Sequence, residues 1–140
     1  MKVLLAADGS KFTKKALAFL VTHESLVGPE DELVVLNVQP AFPHRVKAMV
    51  GAATVNAYYL DEARKVLDPI ERFLKRHPLQ FRTSWVVGPP ALEVVRAAQR
   101  EKAHLIIMGT HGHGLLGRAI MGSVAQRVVT DSEIPVLLVK

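Results

Sequence analysis

The chain has 140 residues, 49% apolar and 22% charged, which suits one folded domain over 1–140 and falls short of two. No apolar run approaches the roughly 18 residues of a membrane span, the start MKVLLAADGS lacks the long apolar core and cleavage site of a signal peptide, and the absence of cysteine excludes disulfide and thiol chemistry, so a reducing, cytoplasmic setting is expected. The net charge of +5 is spread along the length with only KFTKK at 11–15 as a modest cluster, and no aromatic residues alternate with it, so neither nucleic acid nor a membrane is an expected partner.

The run Val3-Leu4-Leu5-Ala6-Ala7 has the continuous apolar character of a strand buried on both faces, ending near Asp8. Ser10 is a candidate N-cap, and Phe12, Ala16, Phe19, Leu20 and His23 recur at helical spacing until Gly28-Pro29 stops the pattern. Leu33 to Val38 predicts a second buried strand, and Gln39-Pro40-Ala41-Phe42-Pro43 predicts a loop. Val55, Tyr59, Ala63, Val66, Leu67, Ile70, Phe73 and Leu74 then form one stripe of a long helix that His77-Pro78 closes.

Phe81 to Val87 predicts a third strand, and Gly88-Pro89-Pro90 a turn into a helix with Ala91, Val94, Val95 and Ala98 inward. Leu105 to Met108 is the fourth strand, Ser123 to Asp131 a helix with Val124, Val128 and Val129 inward, and Pro135 to Val139 a last strand. Strands alternating with helices require crossover connections. The expected fold is therefore α/β: an open, three-layer, Rossmann-like sheet of five mainly parallel strands with helices on both faces. In such sheets ligands sit beyond the carboxyl ends of the strands, where the strand order reverses. The loops to inspect are Ala7-Asp8-Gly9-Ser10, Val38-Gln39-Pro40 and the segment after the fourth strand.

That last segment, MGTHGHGLLGRAIMGS at 108–123, holds five of the nine glycines. Gly112-His113-Gly114-Leu115-Leu116-Gly117 satisfies G-x-G-x-x-G, but it follows a late strand, and the next acidic residue, Asp131, closes a helix rather than a strand. Gly117 to Ser123 is similar to a Walker A loop without its lysine. Both dinucleotide and Walker A readings fail on context. A wider spacing remains: Gly109, two residues, Gly112, nine residues, then Gly122-Ser123.

Gly109-x₂-Gly112-x₉-Gly122-Ser123 resembles the G-2x-G-9x-G-[ST] signature of the ATP-binding branch of the universal stress protein family. The likeness extends to the strand and Asp-Gly-Ser of Val3 to Ser10, to Val38 at the end of the second strand, to Met108-Gly109, and to Ile134 to Val139. Ala6 departs from the proline or valine common at that position in the family. The resemblance implies an adenine-nucleotide-hydrolase-like fold and a stress-response regulatory protein that binds ATP or ADP, with Mg²⁺ arriving on the phosphates. It also implies a homodimer formed through the last strand.

Carried over residue by residue, the resemblance implies that Asp8 sits at the ribose and adenine end, that Val38 offers backbone hydrogen bonds to adenine, and that Ala7 and Met108 line the base. Gly109, Gly112, Gly122, Ser123 and Val124 would serve the phosphate side, since glycine permits close approach and a helix N-terminus attracts anions. On that reading Gly109 lets the ribose or α-phosphate side approach the fourth strand, while Gly114 and Gly117 shape the loop. For Asp8 a second role stays open, capping the first helix. No metal site is expected from His111 and His113, which have no third ligand nearby, and His23, His44, His77 and His104 are expected at the surface or its boundary. No base or charge-stabilising cation is identifiable for efficient ATP hydrolysis, so no catalytic residue is assigned. A slow ATP hydrolase and a non-binding dimeric interaction module are the alternatives.

Overall fold

The computed structural model describes residues 1–112 and 121–140. In chain order it forms β1 (Lys2–Ala6), α1 (Lys11–Thr22), β2 (Glu32–Gln39), α2 (His44–Val50), α3 (Ala52–Leu74), β3 (Gln80–Val87), α4 (Pro90–Arg100), β4 (Leu105–Gly109), α5 (Ser123–Asp131) and β5 (Val136–Val139). The central strands are the apolar runs: Val3, Leu4, Leu5, Ile106 and Ile107 are wholly buried, as a strand covered on both faces requires.

The sheet order is β3-β2-β1-β4-β5, and each of its four neighbouring pairs is parallel. The expected five-stranded α/β sheet is therefore parallel throughout. Helices α1 and α3 cover one face, where Leu17, Leu20, Leu67, Ile70 and Leu74 pack on Val3, Leu5, Leu33 and Val35. On the other face Val94, Ala98, Ala125 and Val128 of α4 and α5 pack on Leu4, Val34, Leu36 and Ile106. After β1 the chain moves outward to β2 and β3, then returns to the opposite side of β1 for β4. The order thus reverses between β1 and β4, which diverges the loops at their carboxyl ends.

Three details differ from the expected pattern. Between the prolines of the β2 loop and α3 lies α2, a seven-residue helix with no buried residue and hence no apolar stripe to announce it. In α1 the inward positions are Thr13, Ala16, Leu17 and Leu20, while Phe12 and Phe19 are half-buried and His23 is exposed with its ring stacked on Phe19. In α5 only Ala125 and Val128 turn inward. Val124 and Val129 are 36% and 44% exposed, because the contact line runs through 125 and 128, three residues apart, and β-branched residues flank it on both sides.

Candidate functional site

A cavity of about 720 Å³ opens at the strand-order reversal, within the range of small-molecule and cofactor sites. All nine residues selected from the sequence line it. Ala7 and Asp8 come from the turn after β1, Val38 from the end of β2, Met108 and Gly109 from β4, Gly112 from the loop beyond it, and Gly122, Ser123 and Val124 from the start of α5. The reasons those elements end where they do also build the walls.

At the β1 wall, the Ser10 side chain caps α1 by accepting from the Thr13 N–H at 3.4 Å. Asp8 stands two residues earlier. Its Oδ1 accepts from the Ser10 N–H at 2.9 Å and from the Thr13 hydroxyl at 2.8 Å, while the Asp8 N–H donates to the Thr13 Oγ1 at 3.1 Å. The helix cap is thus Ser10, and Asp8 is fixed beside it with its other oxygen directed across the cavity toward Gly112. A Cβ on Gly112 would lie 2.6 Å from Asp8 Oδ2, so no side chain fits there without moving the carboxylate.

The β2 wall is tied to β1 by a buried amide. Asn37 donates from Nδ2 to the Ala7 carbonyl at 2.9 Å and accepts at Oδ1 from Gln39 Nε2 at 2.7 Å. At 2% exposure its polar atoms need these partners.

Beyond β4 the loop approaches the start of α5 closely. The Gly122 N–H donates to the Thr110 carbonyl at 2.6 Å, and a Cβ at 122 would lie 3.2 Å from that oxygen and 3.3 Å from His111 Cα. Gly122 is the N-cap of α5, and no side chain caps this helix among the described residues. The residues of its first turn, Ser123, Val124 and Ala125, line the cavity, and their backbone N–H groups have no side-chain cap among the described residues. Gly109 has a different neighbour: a Cβ there would fall 2.4 Å from Phe12 Cβ. Its small size is required by α1 packing, whatever contact it also offers the cavity. The loop-shaping roles expected of Gly114 and Gly117, together with His113, lie outside the described residues.

His111 is held at the rim, with Nδ1 2.8 Å from the Thr110 hydroxyl and its ring 4.9 Å from that of Phe12. Among the described residues no group of three His, Cys, Asp or Glu side chains is placed to hold a metal. Charged groups on the lining include Asp8, Glu62 and Lys65. The Lys65 ammonium contacts Glu62 at 2.9 Å and Asp61 at 3.3 Å, and these two carboxylates, Glu62 foremost, raise its pKa.

The lining residues not selected from the sequence include Thr13, Asn37, Glu62 and Lys65. Asn37 left a signal, a lone polar residue inside an apolar strand run. Glu62 and Lys65 left none, since they sit on the charged outer face of an amphipathic helix.

The universal stress protein family model matches residues 1–140. A universal stress protein of Thermus aquaticus is 49% identical over 138 residues, covering 99% of this chain and 97% of that protein. Among solved structures, a Methanocaldococcus jannaschii protein whose biochemical function was assigned from its structure superposes with a TM-score of 0.84 at 29% identity, covering 99% of this chain and 94% of that one. A universal stress protein family member from Arabidopsis thaliana, solved with AMP bound, shares the fold at a TM-score of 0.68 and 18% identity, covering 100% of this chain and 91% of that one.

Proposed function

The chain belongs to the universal stress protein family, and from that premise we propose that it is an ATP-binding regulatory protein whose nucleotide lies in the cavity at the strand-order reversal. The observation that carries this reading is the pairing of an α5 N-terminus uncapped by any described side chain with glycines that a Cβ would crowd at 112 and 122. A helix start and close backbone amides suit phosphate oxygens, which need N–H donors at short range more than they need lysines. Gly112, Gly122, Ser123 and Val124 serve that end. Asp8 takes ribose hydroxyls, Val38 offers its backbone to adenine, and Ala7 and Met108 pack on the base. The AMP held by the Arabidopsis relative supports a nucleotide ligand, and the G-2x-G-9x-G-[ST] spacing supports a triphosphate.

Mg²⁺ belongs to the proposed ligand. Asp8 and Glu62 carboxylates stand on the described wall, and Lys65 is already shared between two carboxylates. A cation carried on the phosphates lowers the repulsion and needs few protein ligands. The same reading includes a cytoplasmic regulatory role and a homodimer formed through β5, the outer strand beside β4.

The test is to denature freshly purified protein and identify any nucleotide released, then repeat with Gly122→Leu. ATP released from the wild type and absent from the variant is expected. A wild type that releases no nucleotide and shows no binding on titration overturns the reading. Steady phosphate release abolished by Ser123→Ala would instead assign slow hydrolysis to this site.

A further inference from the structure

Thr13 is a polar residue at 3% exposure in the first turn of α1. Its main-chain N–H goes to the Ser10 cap, so the helix start does not need its hydroxyl. Among the described residues both hydrogen bonds of that hydroxyl go to one residue: it accepts from the Asp8 N–H at 3.1 Å and donates to Asp8 Oδ1 at 2.8 Å. With the Ser10 N–H also on Oδ1 at 2.9 Å, the carboxylate is pinned at one oxygen by two donors. Rotation about its Cβ–Cγ bond would break both. The position of Oδ2 follows, and it is the oxygen that a Cβ at Gly112 would meet at 2.6 Å.

We infer that Thr13 is a positioning residue for ligand recognition: its hydroxyl fixes the Asp8 carboxylate against Gly112 and so sets the preference for a nucleotide with ribose hydroxyls. This rests on the placement of ribose at Asp8 proposed above. A threonine needed only to fill space would be replaced by valine, which has the same shape and lacks the hydroxyl. The polar group is therefore the part to test, and its effect must be read on the sugar.

The experiment titrates ATP and 2′,3′-dideoxy-ATP, each with Mg²⁺, into the wild type, Thr13→Val and Thr13→Ser by calorimetry. Hydrogen bonds to a charged acceptor predict that the wild type prefers ATP by about ten- to hundredfold. Thr13→Val is expected to remove most of that preference while changing dideoxy-ATP affinity less than about twofold, and Thr13→Ser to restore it. A preference unchanged in Thr13→Val, or an equal loss for both nucleotides, overturns the inference.

Because Thr13→Val removes one donor from a part-buried carboxylate, it is also made in an Asp8→Ala background, where there is no carboxylate to lose it. There the added substitution should change neither affinity; losses that simply add would show that Thr13 does not act through Asp8. Failure of the underlying reading looks different. A wild type that binds neither nucleotide, or that binds both equally, refutes the ligand or the role of Asp8 before any variant is compared.

Discussion

A methyl group added at Gly109 would meet Phe12 Cβ at 2.4 Å, a separation that carbon atoms do not tolerate, so α1 would have to move off the sheet. Gly109→Ala is therefore expected to lower stability by about 1–3 kcal/mol, the ordinary cost of overpacking. At Gly122 the nearest atoms are 3.2 and 3.3 Å away, which a shift of a few tenths of an ångström relieves. Gly122→Ala should then cost less in urea unfolding while still weakening nucleotide binding. Equal urea midpoints for Gly109→Ala and the wild type would refute the packing role. The glycine spacing was legible in the sequence because spacing is a one-dimensional property. The reason for Gly109 was not, since Phe12 lies 97 positions earlier and reaches it only through the β1–α1 turn. Thr13 escaped notice for the same cause: its hydroxyl gains significance from Asp8 five residues before, through a turn geometry that periodicity does not encode.

Elements were legible where burial imposes a period and obscure where it does not. The strands stood out as apolar runs, and α3 as a stripe through Val55, Tyr59, Ala63, Leu67, Ile70 and Leu74. Helix α2 has no buried residue, so its order depends on ties at its ends. One tie is explicit: the Phe42 N–H donates to the Tyr59 hydroxyl at 2.7 Å, and the two rings stack at 5.4 Å. Tyr59→Phe keeps the ring and loses the acceptor. Amide exchange across 42–50 should then accelerate severalfold with little change in exchange of the β-sheet core, and unaltered exchange there would refute the tie.

A second element-level device lies at the opposite end of the sheet from the cavity. Lys2 of β1, Glu32 of β2, Arg82 of β3 and Glu101 at the end of α4 form a chain of ion pairs: Lys2 reaches Glu32 at 3.5 Å and Glu101 at 3.6 Å, and Arg82 contacts both carboxylates. The hydrogen bond from Arg82 is the main reason the Glu101 pKa falls below the ordinary carboxylate value. A carboxyl group whose pKa is lower folded than unfolded stabilises the protein above its unfolded pKa, and that contribution disappears as pH falls through the folded one. Glu101→Gln should therefore flatten the acid limb of the stability profile below about pH 4.3, the unperturbed glutamate value. Urea midpoints measured from neutral to acid pH check this. Parallel profiles for the two proteins would show that the pair contributes nothing.

At the scale of the molecule, the parallel sheet and its reversal between β1 and β4 bring three loops, far apart in sequence, into one cavity, and they leave β5 at an edge. The direction of its free groups follows from two bonds: the Ile106 N–H donates to the Pro135 carbonyl, and the Thr110 N–H donates to the Val139 carbonyl. Backbone groups alternate along a strand, so positions 135, 137 and 139 face β4 while Val136 and Leu138 direct theirs outward. All four residues of β5 are apolar and half-buried, a poor edge for an isolated copy and a suitable one for pairing with a second. Light scattering on the wild type should give twice the chain mass. Val136→Pro removes one outward N–H at the first strand position, where proline is tolerated, and should shift the protein toward monomer without unfolding it. A monomeric wild type overturns the dimer. A dimeric Val136→Pro with undiminished association would place the interface elsewhere. If nucleotide release survives in the monomer, the cavity is complete within one chain, as its lining predicts, and pairing through β5 is then not needed for ligand capture.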